Sequence, residues 1–155
     1  MIDQTDLQII TCLKENARVN ASDISDQVGM SVSAVIERIK KLEASGIITR
    51  YTAVLDHKKL GMDVTAFMSV SLEHPKFNDG FIGAVDANPQ IVECTYITGD
   101  FDFMLKVVAY STEDLAAILN TVKSIPGVSL TRTQLVLSTH KNEVSVLPRT
   151  CETGK

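Results

Sequence analysis

Basic side chains cluster between Arg38 and Lys59 of an otherwise acidic chain. The whole sequence has a formal net charge of −4, yet this stretch holds six basic residues against two acidic ones. The basic residues are Arg38, Lys40, Lys41, Arg50, Lys58 and Lys59. Because salt screens charges beyond ~10 Å, a binding partner responds to this local field rather than to the net charge. The chemistry predicted here is binding of a polyanion such as nucleic acid.

The segment from Thr98 to Asp102 combines a glycine with two carboxylates. Gly99 permits a tight turn or a close backbone approach, and Asp100 and Asp102 lie beside free backbone amides. A free amino acid carries an ammonium group, which acidic side chains can bind, and a carboxylate, which backbone amides can bind. The chemistry of the segment is therefore compatible with binding a free amino acid. The alternative is a tight hairpin whose aspartates cap the turn.

Three short helices are predicted before and within the basic cluster, each preceded by a capping side chain. Their limits are Asp3 to about Glu15, Asn20 to Gly29, and Ser31 to Gly46. In the third helix, apolar residues recur at intervals of three and four, which predicts that they point inward: Val32, Val35, Ile39 and Leu42. The second and third helices are joined by a short turn containing glycine, which is typical of a helix-turn-helix.

The second helix of such a motif enters the major groove of DNA. Its outward side chains here are small near the start and basic further along, and the predicted DNA-binding residues are Ser31, Ser33, Ala34, Glu37, Arg38, Lys41 and Arg50. Arg38 and Lys41 are predicted to bind phosphate or guanine, whereas Glu37 repels phosphate but can accept from a cytosine amino group. The alternative is a three-helix core whose basic residues form a solvated surface.

After an extended segment over 48–55 and a turn over 56–61, strands and helices alternate. The predicted elements are a strand at 64–73, a helix at 77–87, strands at 91–97 and 102–109, a helix at 112–124 and a strand at 128–138. The order βαββαβ is that of a ferredoxin-like fold. Both helices cover one sheet face, and the other face also carries apolar residues. We therefore expect the open face to pack against a second copy, giving a dimer at least.

Composition narrows the class of protein. The chain has 155 residues, of which 45% are hydrophobic and 22% charged, which excludes disorder for most of its length. No stretch approaches the ~18 apolar residues of a membrane span, and the amino terminus is acidic, so a cytoplasmic location is expected. With the predicted binding to DNA, association with the nucleoid is expected as well. No metal or cofactor is expected, because the cysteines and histidines lack the spacing of metal ligands. The three histidines are His57, His74 and His140. The three cysteines, Cys12, Cys94 and Cys151, are expected to be reduced thiols.

Several motifs together resemble those of one family. They are Asn16-Ala17-Arg18, Gly29 to Ser33, Val35 to Glu43, Gly46-Ile47-Ile48, Tyr51 to Asp56, Leu60-Gly61, Thr98 to Phe103, and Pro126-Gly127-Val128. In this order and spacing, over residues 3 to about 147, the chain resembles the leucine-responsive regulator/AsnC (Lrp/AsnC, feast/famine) family of prokaryotic transcription factors. Met30 stands where the family more often has leucine.

The resemblance implies an α+β chain of four segments. These are a winged-helix-like helix-turn-helix domain at 1–47, a β linker at 48–61 through which two chains associate, a ferredoxin-like effector and oligomerisation domain at 62–147, and a flexible tail at 148–155. It further implies rings of four dimers around which DNA wraps. It places an amino-acid pocket between subunits, formed by the loop with threonines of the last strand: Thr98, Gly99, Asp100, Asp102, Thr131 and Thr133.

The predicted function is a sequence-specific, DNA-binding transcriptional regulator whose assembly or DNA affinity responds to a small effector, an amino acid. One alternative is an architectural protein that wraps DNA without an effector. Another is a small enzyme built on the ferredoxin-like domain. The enzyme is disfavoured because no base, nucleophile and orienting group cluster in the recognisable motifs.

Overall fold

The computed structural model of the chain describes residues 2–148. Within them the chain forms two compact units, one made of residues 2–54 and 141–148 and the other of Leu55–His140. Residues 141–147, predicted to belong to the second domain, lie in the first unit of the structure. The predicted tail at 148–155 and Cys151 lie, apart from Pro148, outside the described residues.

The first unit contains the three predicted helices, α1 (Gln4–Glu15), α2 (Ala21–Val28) and α3 (Val32–Ala44). Each begins where a polar side chain accepts a hydrogen bond from the backbone N–H three residues further on, and the capping residues are Asp3, Asn20 and Ser31. The helix limits predicted from these caps are confirmed to within two residues. The start of each helix is specified by the short-range hydrogen bond of its capping side chain.

The core of the first unit lies between the three helices. Ile9, Ile24 and Val35 are fully buried, and Leu42 is nearly so. The prediction that Val32 points inward is wrong, because its side chain is 41% exposed. Val32 is the first residue of α3, and the core is occupied by the residues one and three turns later. The periodicity of a helix does not show how far along its length the packing extends.

The predicted β linker is not a strand in the single chain. Residues 49–56 have no assigned helix or strand, and the side chains of Val54 and Leu55 are exposed. A strand is defined by backbone hydrogen bonds to a neighbouring strand. Within residues 2–148 the only backbone hydrogen bond of this segment is a turn contact, in which Leu60 N donates to Asp56 O at 3.3 Å. The turn that follows is as predicted, with Met62 N donating to His57 O at 2.9 Å.

The second unit is a four-stranded antiparallel sheet with two helices. Its elements are β1 (Val64–Leu72), a 3₁₀ turn (Pro75–Phe77), α4 (Asn78–Asp86), β2 (Ile91–Tyr96), β3 (Phe103–Ala109), α5 (Thr112–Lys123) and β4 (Val128–Leu135). The strand order is β2-β3-β1-β4, which confirms the ferredoxin-like plan. The last strand ends three residues before the predicted Ser138.

One face of this sheet forms the core of the second unit. Met68 and Val70 of β1 lie opposite Leu105 and Phe103 of β3, and these side chains pack beneath α4 and α5. On the other face Phe67 and Leu130 remain partly exposed. Apolar side chains therefore occupy both faces of the sheet, as the sequence predicted.

Candidate nucleic-acid interface and ligand site

The start of α3 presents small polar groups to solvent. The Ser31 hydroxyl accepts from Ala34 N at 3.3 Å and lies 3.2 Å from the Ser33 hydroxyl. Both serines are exposed, and Ala34 is half-buried. The first backbone N–H groups of a helix attract anions, so this end of α3 can receive a phosphate oxygen. The predicted role of these three residues is compatible with their positions.

Glu37 and Lys41 form an ion pair one turn apart on the exposed side of α3. Their side-chain atoms are 2.9 Å apart, and the side chains are 69% and 74% exposed. The Lys41 ammonium lowers the pKa of Glu37 through this hydrogen bond. Exposed pairs of this kind contribute little, with a median of about 0–1 kcal/mol. A DNA phosphate can therefore compete for Lys41.

Arg38 is placed differently from what the sequence predicted. Its Nη1 atom lies 2.7 Å from Asp3 Oδ2 and 2.8 Å from Asp6 Oδ1, and only 28% of the side chain is exposed. Asp6 and then Asp3 raise the pKa of Arg38. The backbone N–H of Asp6 and then the Arg38 guanidinium lower the pKa of Asp3. The residue that sequence analysis assigned to phosphate or guanine is held by two carboxylates of the same unit.

Two apolar side chains on α3 are exposed to solvent although neither was predicted to lie on the surface. Val32 and Ile36 are each 41% exposed and lie one turn apart on the helix. Apolar side chains on a recognition helix can contact the methyl group of thymine. Ile36 carried a usable signal, because it falls outside the spacing of the inward residues.

The remaining basic residues do not form one surface within a single unit. Lys40 and Arg50 belong to the first unit, and Lys58 and Lys59 belong to the turn at the start of the second. Arg50 lines a cavity of about 300 Å³ in the first unit, together with α1 residues such as Leu7 and the end of the described chain. Arg50 therefore shares a unit with the basic residues of α3, but the cavity that it lines contains no residue of α3.

The loop between β2 and β3 separates its two carboxylates. Asp102 Oδ2 accepts from Leu72 N at 2.7 Å, and Asp102 N donates to Val70 O at 2.9 Å. Asp100 is exposed, and its main-chain oxygen accepts from the Ser71 hydroxyl at 3.2 Å. The aspartate at 102 thus joins the loop to β1, while the carboxylate at 100 faces solvent.

The other predicted ligand residues lie around the same end of the sheet. Thr98 is exposed, and Gly99 has a φ of +110°, in the region that favours glycine. Thr131 and Thr133 of β4 lie opposite Val70 and Met68 of β1, so both occupy the helix-covered face at an edge of the sheet. The loop and Thr131 therefore approach the same residue of β1, Val70, from opposite sides. No hydrogen bond joins the threonines to the loop among the described residues.

A cation near this loop was also missed. The Arg132 guanidinium lies 5.1 Å from the centroid of the Phe101 ring, and Phe101 is buried. Arg132 pairs with Ser69 in the register of β4 and β1, so it lies on the open face, opposite to the two threonines. Side chains alternate between the two faces of a strand. The position of Arg132 between Thr131 and Thr133 therefore predicts that it lies on the face opposite to the two threonines.

Residues 2–148 offer no group of three or more His, Cys, Asp or Glu side chains arranged to hold a metal ion. Cys12 and Cys94 are free thiols, both half-buried. Burial, with the Asp86 carboxylate as a further cause, raises the pKa of Cys94. None of the helices in this part of the chain is both long and apolar enough to cross a bilayer.

The two units together define a class of protein. A helix-turn-helix with an exposed second helix is joined to a ferredoxin-like unit, which is the arrangement of a DNA-binding regulator with a separate ligand-binding module. Residues 2–49 match the family model described as winged helix-turn-helix DNA-binding, and residues 65–146 match the Lrp/AsnC ligand binding domain.

Similar proteins place the chain in a family. It is 36% identical to the transcriptional regulator AzlB of Bacillus subtilis, over 94% of this chain and 95% of that protein. It is also 36% identical to the HTH-type transcriptional regulator FL11 of Pyrococcus horikoshii, over 95% of this chain and 96% of that protein. A transcriptional regulator from Neisseria meningitidis, solved as a complex with L-methionine, superposes with a TM-score of 0.90 at 28% identity, covering 95% and 97%. The chain belongs to the Lrp/AsnC family of DNA-binding transcriptional regulators.

Proposed function

We propose that an amino acid regulates DNA binding by this protein and that it binds at the loop of residues 98–102. The observation that carries the proposal is the match of residues 65–146, which include this loop, to the Lrp/AsnC ligand binding domain. The Neisseria relative in complex with L-methionine supports an amino acid as the class of ligand. The relatives are named as transcriptional regulators, so we propose a regulatory rather than a catalytic role.

The DNA-binding surface proposed here is the exposed side of α3 with Arg50. Its members are Ser31, Ser33, Ala34, Glu37, Lys41 and Arg50, with Val32 and Ile36 as apolar neighbours. The first backbone N–H groups of α3 bind one DNA phosphate. Lys41 leaves its exposed partner Glu37 and binds a second phosphate. Glu37, once released, accepts from a cytosine amino group.

A titration against salt tests this surface. Fluorescence anisotropy of the full chain with a labelled duplex gives the slope of log K against log salt concentration, which changes by about 0.9 for each phosphate contact. Lys41→Gln is expected to weaken binding and to reduce the steepness by about that amount. Lys123→Gln is the matched control, because Lys123 is an exposed lysine in the last turn of α5. Equal effects of the two substitutions would contradict the assignment of Lys41.

In the proposed ligand site the Asp100 carboxylate binds the ammonium group of the amino acid. Backbone N–H groups of the loop around Gly99 bind its carboxylate, and the hydroxyls of Thr131 and Thr133 add hydrogen bonds. Thr98 and Asp102 shape the loop. The exposed position of Asp100 and the approach of the loop and Thr131 to the same residue of β1 support this arrangement.

Calorimetry with the twenty amino acids, L-methionine first, tests the ligand site. We expect Asp100→Asn to lose the heat of binding while it retains DNA affinity in the absence of ligand. Asp79→Asn, which changes an exposed carboxylate in the first turn of α4, is expected to bind like the wild type. No heat with any amino acid, together with intact DNA binding, would refute the effector. It would favour an architectural, DNA-wrapping role. The hydrogen bond from Leu72 N to the Asp102 carboxylate is also compatible with that role, because it occupies one of the two loop carboxylates within the chain.

We also propose that two copies associate through the open face of the sheet and that four such dimers assemble further. Phe67 and Leu130 leave apolar surface on that face, which association buries. Sedimentation analysis is expected to show that Leu130→Asp lowers the association state. Ile82→Asp, which changes an exposed aliphatic residue on α4, should not. Because the partner is DNA, we propose that the protein acts in the cytoplasm, at the nucleoid.

A further inference from the structure

Arg38 lies at the centre of a closed set of hydrogen bonds that joins α3 to the start of α1. Asp6 N donates to Asp3 Oδ1 at 2.8 Å, and Asp3 N donates to Asp6 Oδ2 at 3.1 Å. These two bonds form the capping box of α1. Arg38 Nη1 then donates to the remaining oxygen of each carboxylate, Asp3 Oδ2 and Asp6 Oδ1. All four carboxylate oxygens therefore have a partner within the unit.

The set lies where the packing between the two helices is open. A cavity of about 530 Å³ is lined by residues from both the start of α1 and α3, among them Asp3, Asp6, Arg38 and Leu42. Among the described residues, no other ion pair joins α1 to α3. The guanidinium thus joins the start of α1 to α3 at the wall of this cavity.

The local charge argues against a direct role of Arg38 in binding phosphate. One guanidinium and two carboxylates sum to a net negative charge, so the cluster does not attract a polyanion. A phosphate that took Arg38 would have to displace both carboxylates, and the Asp6 side chain is only 14% exposed. Lys41, by contrast, has a single partner that is itself 69% exposed.

We propose that Arg38 is a positioning residue, which fixes α3 against the start of α1 through Asp3 and Asp6 and does not itself contact DNA. The inference rests on the proposed DNA-binding function of α3. The ion pairs set the direction in which α3 presents Ser33 and Lys41. Disrupting the cluster lowers affinity for DNA without changing the number of phosphates neutralised.

The test measures affinity and salt slope together for the full chain. The probe is a short labelled duplex that the wild-type chain enriches from a randomised library. Arg38→Gln is expected to lower affinity about tenfold at every salt concentration and to leave the slope unchanged. The double variant Asp3→Asn, Asp6→Asn is expected to lose affinity to the same extent. All three substitutions combined should be no worse than either, because they remove one shared interaction.

The direction in which the aspartate substitutions change DNA affinity distinguishes a positioning role of Arg38 from direct contact with phosphate. If Arg38 bound phosphate and the aspartates only masked it, removing two negative charges would tighten DNA binding. In that case Arg38→Gln would also reduce the salt slope by about 0.9, as Lys41→Gln is expected to do. Either result, in variants whose circular dichroism matches the wild type, overturns the inference. A wild-type chain that binds no duplex overturns the proposed function, and the inference with it.

A reversed pair keeps the test decisive if Arg38→Gln does not fold. Arg38→Glu places two acidic partners against an acidic side chain, and adding Asp6→Arg restores a pair of opposite charge at the same place. We expect the double variant to recover helix content and part of the affinity lost by Arg38→Glu alone. A folded double variant that binds as weakly as Arg38→Glu alone would show that the interaction between the residues is not what matters for DNA binding.

Discussion

Substitution by alanine is expected to affect stability at one aspartate of the ligand loop, Asp102, and ligand binding at the other, Asp100. Asp102→Ala removes the acceptor that Leu72 N uses at 2.7 Å. The pairing of β1 with β4 shifts register between Ser71 and Leu72, and the Asp102 carboxylate supplies the acceptor at this irregularity. In Asp102→Ala the backbone N–H of the half-buried Leu72, at the end of β1, is therefore left without its acceptor.

The magnitude follows from the type of bond. A hydrogen bond to a charged group contributes about 1.5–3 kcal/mol, so we expect Asp102→Ala to lower the free energy of unfolding of the second unit by about 2 kcal/mol. In a domain of roughly 60–100 residues, each kcal/mol shifts Tm by about 4–8 °C, which gives a decrease on the order of 10 °C. Asp102→Asn keeps an acceptor oxygen, so it should lose only the contribution of the charge.

Circular dichroism during heating and amide hydrogen exchange at Leu72 measure the two effects. Asp100→Ala is the matched control, because its carboxylate is exposed and makes no hydrogen bond within residues 2–148. We expect a change in stability below about 0.5 kcal/mol for this variant, together with the loss of the amino-acid response. Equal stability of Asp102→Ala and the wild type, or an equal loss with Asp100→Ala, would refute the roles assigned to the two residues.

Two further predictions concern packing and ionisation. Gly127 has a φ of +90°, and an added Cβ would lie 2.2 Å from Cγ of Phe77. Gly127→Ala should therefore lower the Tm of the second unit by several degrees more than Gly61→Ala, where φ is +80° and no atom lies within 4 Å of an added Cβ; equal decreases would show that the contact with Phe77 is unimportant. Partial burial and the Glu43 carboxylate, which accepts from the Tyr51 hydroxyl at 2.9 Å, raise the pKa of Tyr51 to about 12. Its folded-state pKa exceeds the ordinary value of about 10, so the stabilisation holds below pH ~10 and is lost as pH rises towards 12. Spectrophotometric titration should show a component that ionises near pH 12 and is absent in Tyr51→Phe. A titration of the wild type without that component would contradict the bond.

The sequence predicted the features that depend on neighbouring residues. The start of α3 is specified by Ser31, whose hydroxyl reaches an N–H three positions away. The strands of the second unit follow from alternation, and their order gives the ferredoxin-like plan. The motifs over residues 3 to 147 identified the family, because their types and spacing are visible without coordinates.

The sequence could not predict which partner a charged side chain would select. Arg38 and Asp102 were both predicted as free to bind a ligand, yet Arg38 pairs with Asp6 32 residues away and Asp102 with Leu72 N 30 residues away. These contacts form only when packing brings distant segments together. Residue type and spacing therefore determined the fold and the location of the two candidate surfaces. The tertiary structure decided which side chains on them remain available, because electrostatic and hydrogen-bonding groups act over a few ångström in space and not along the chain.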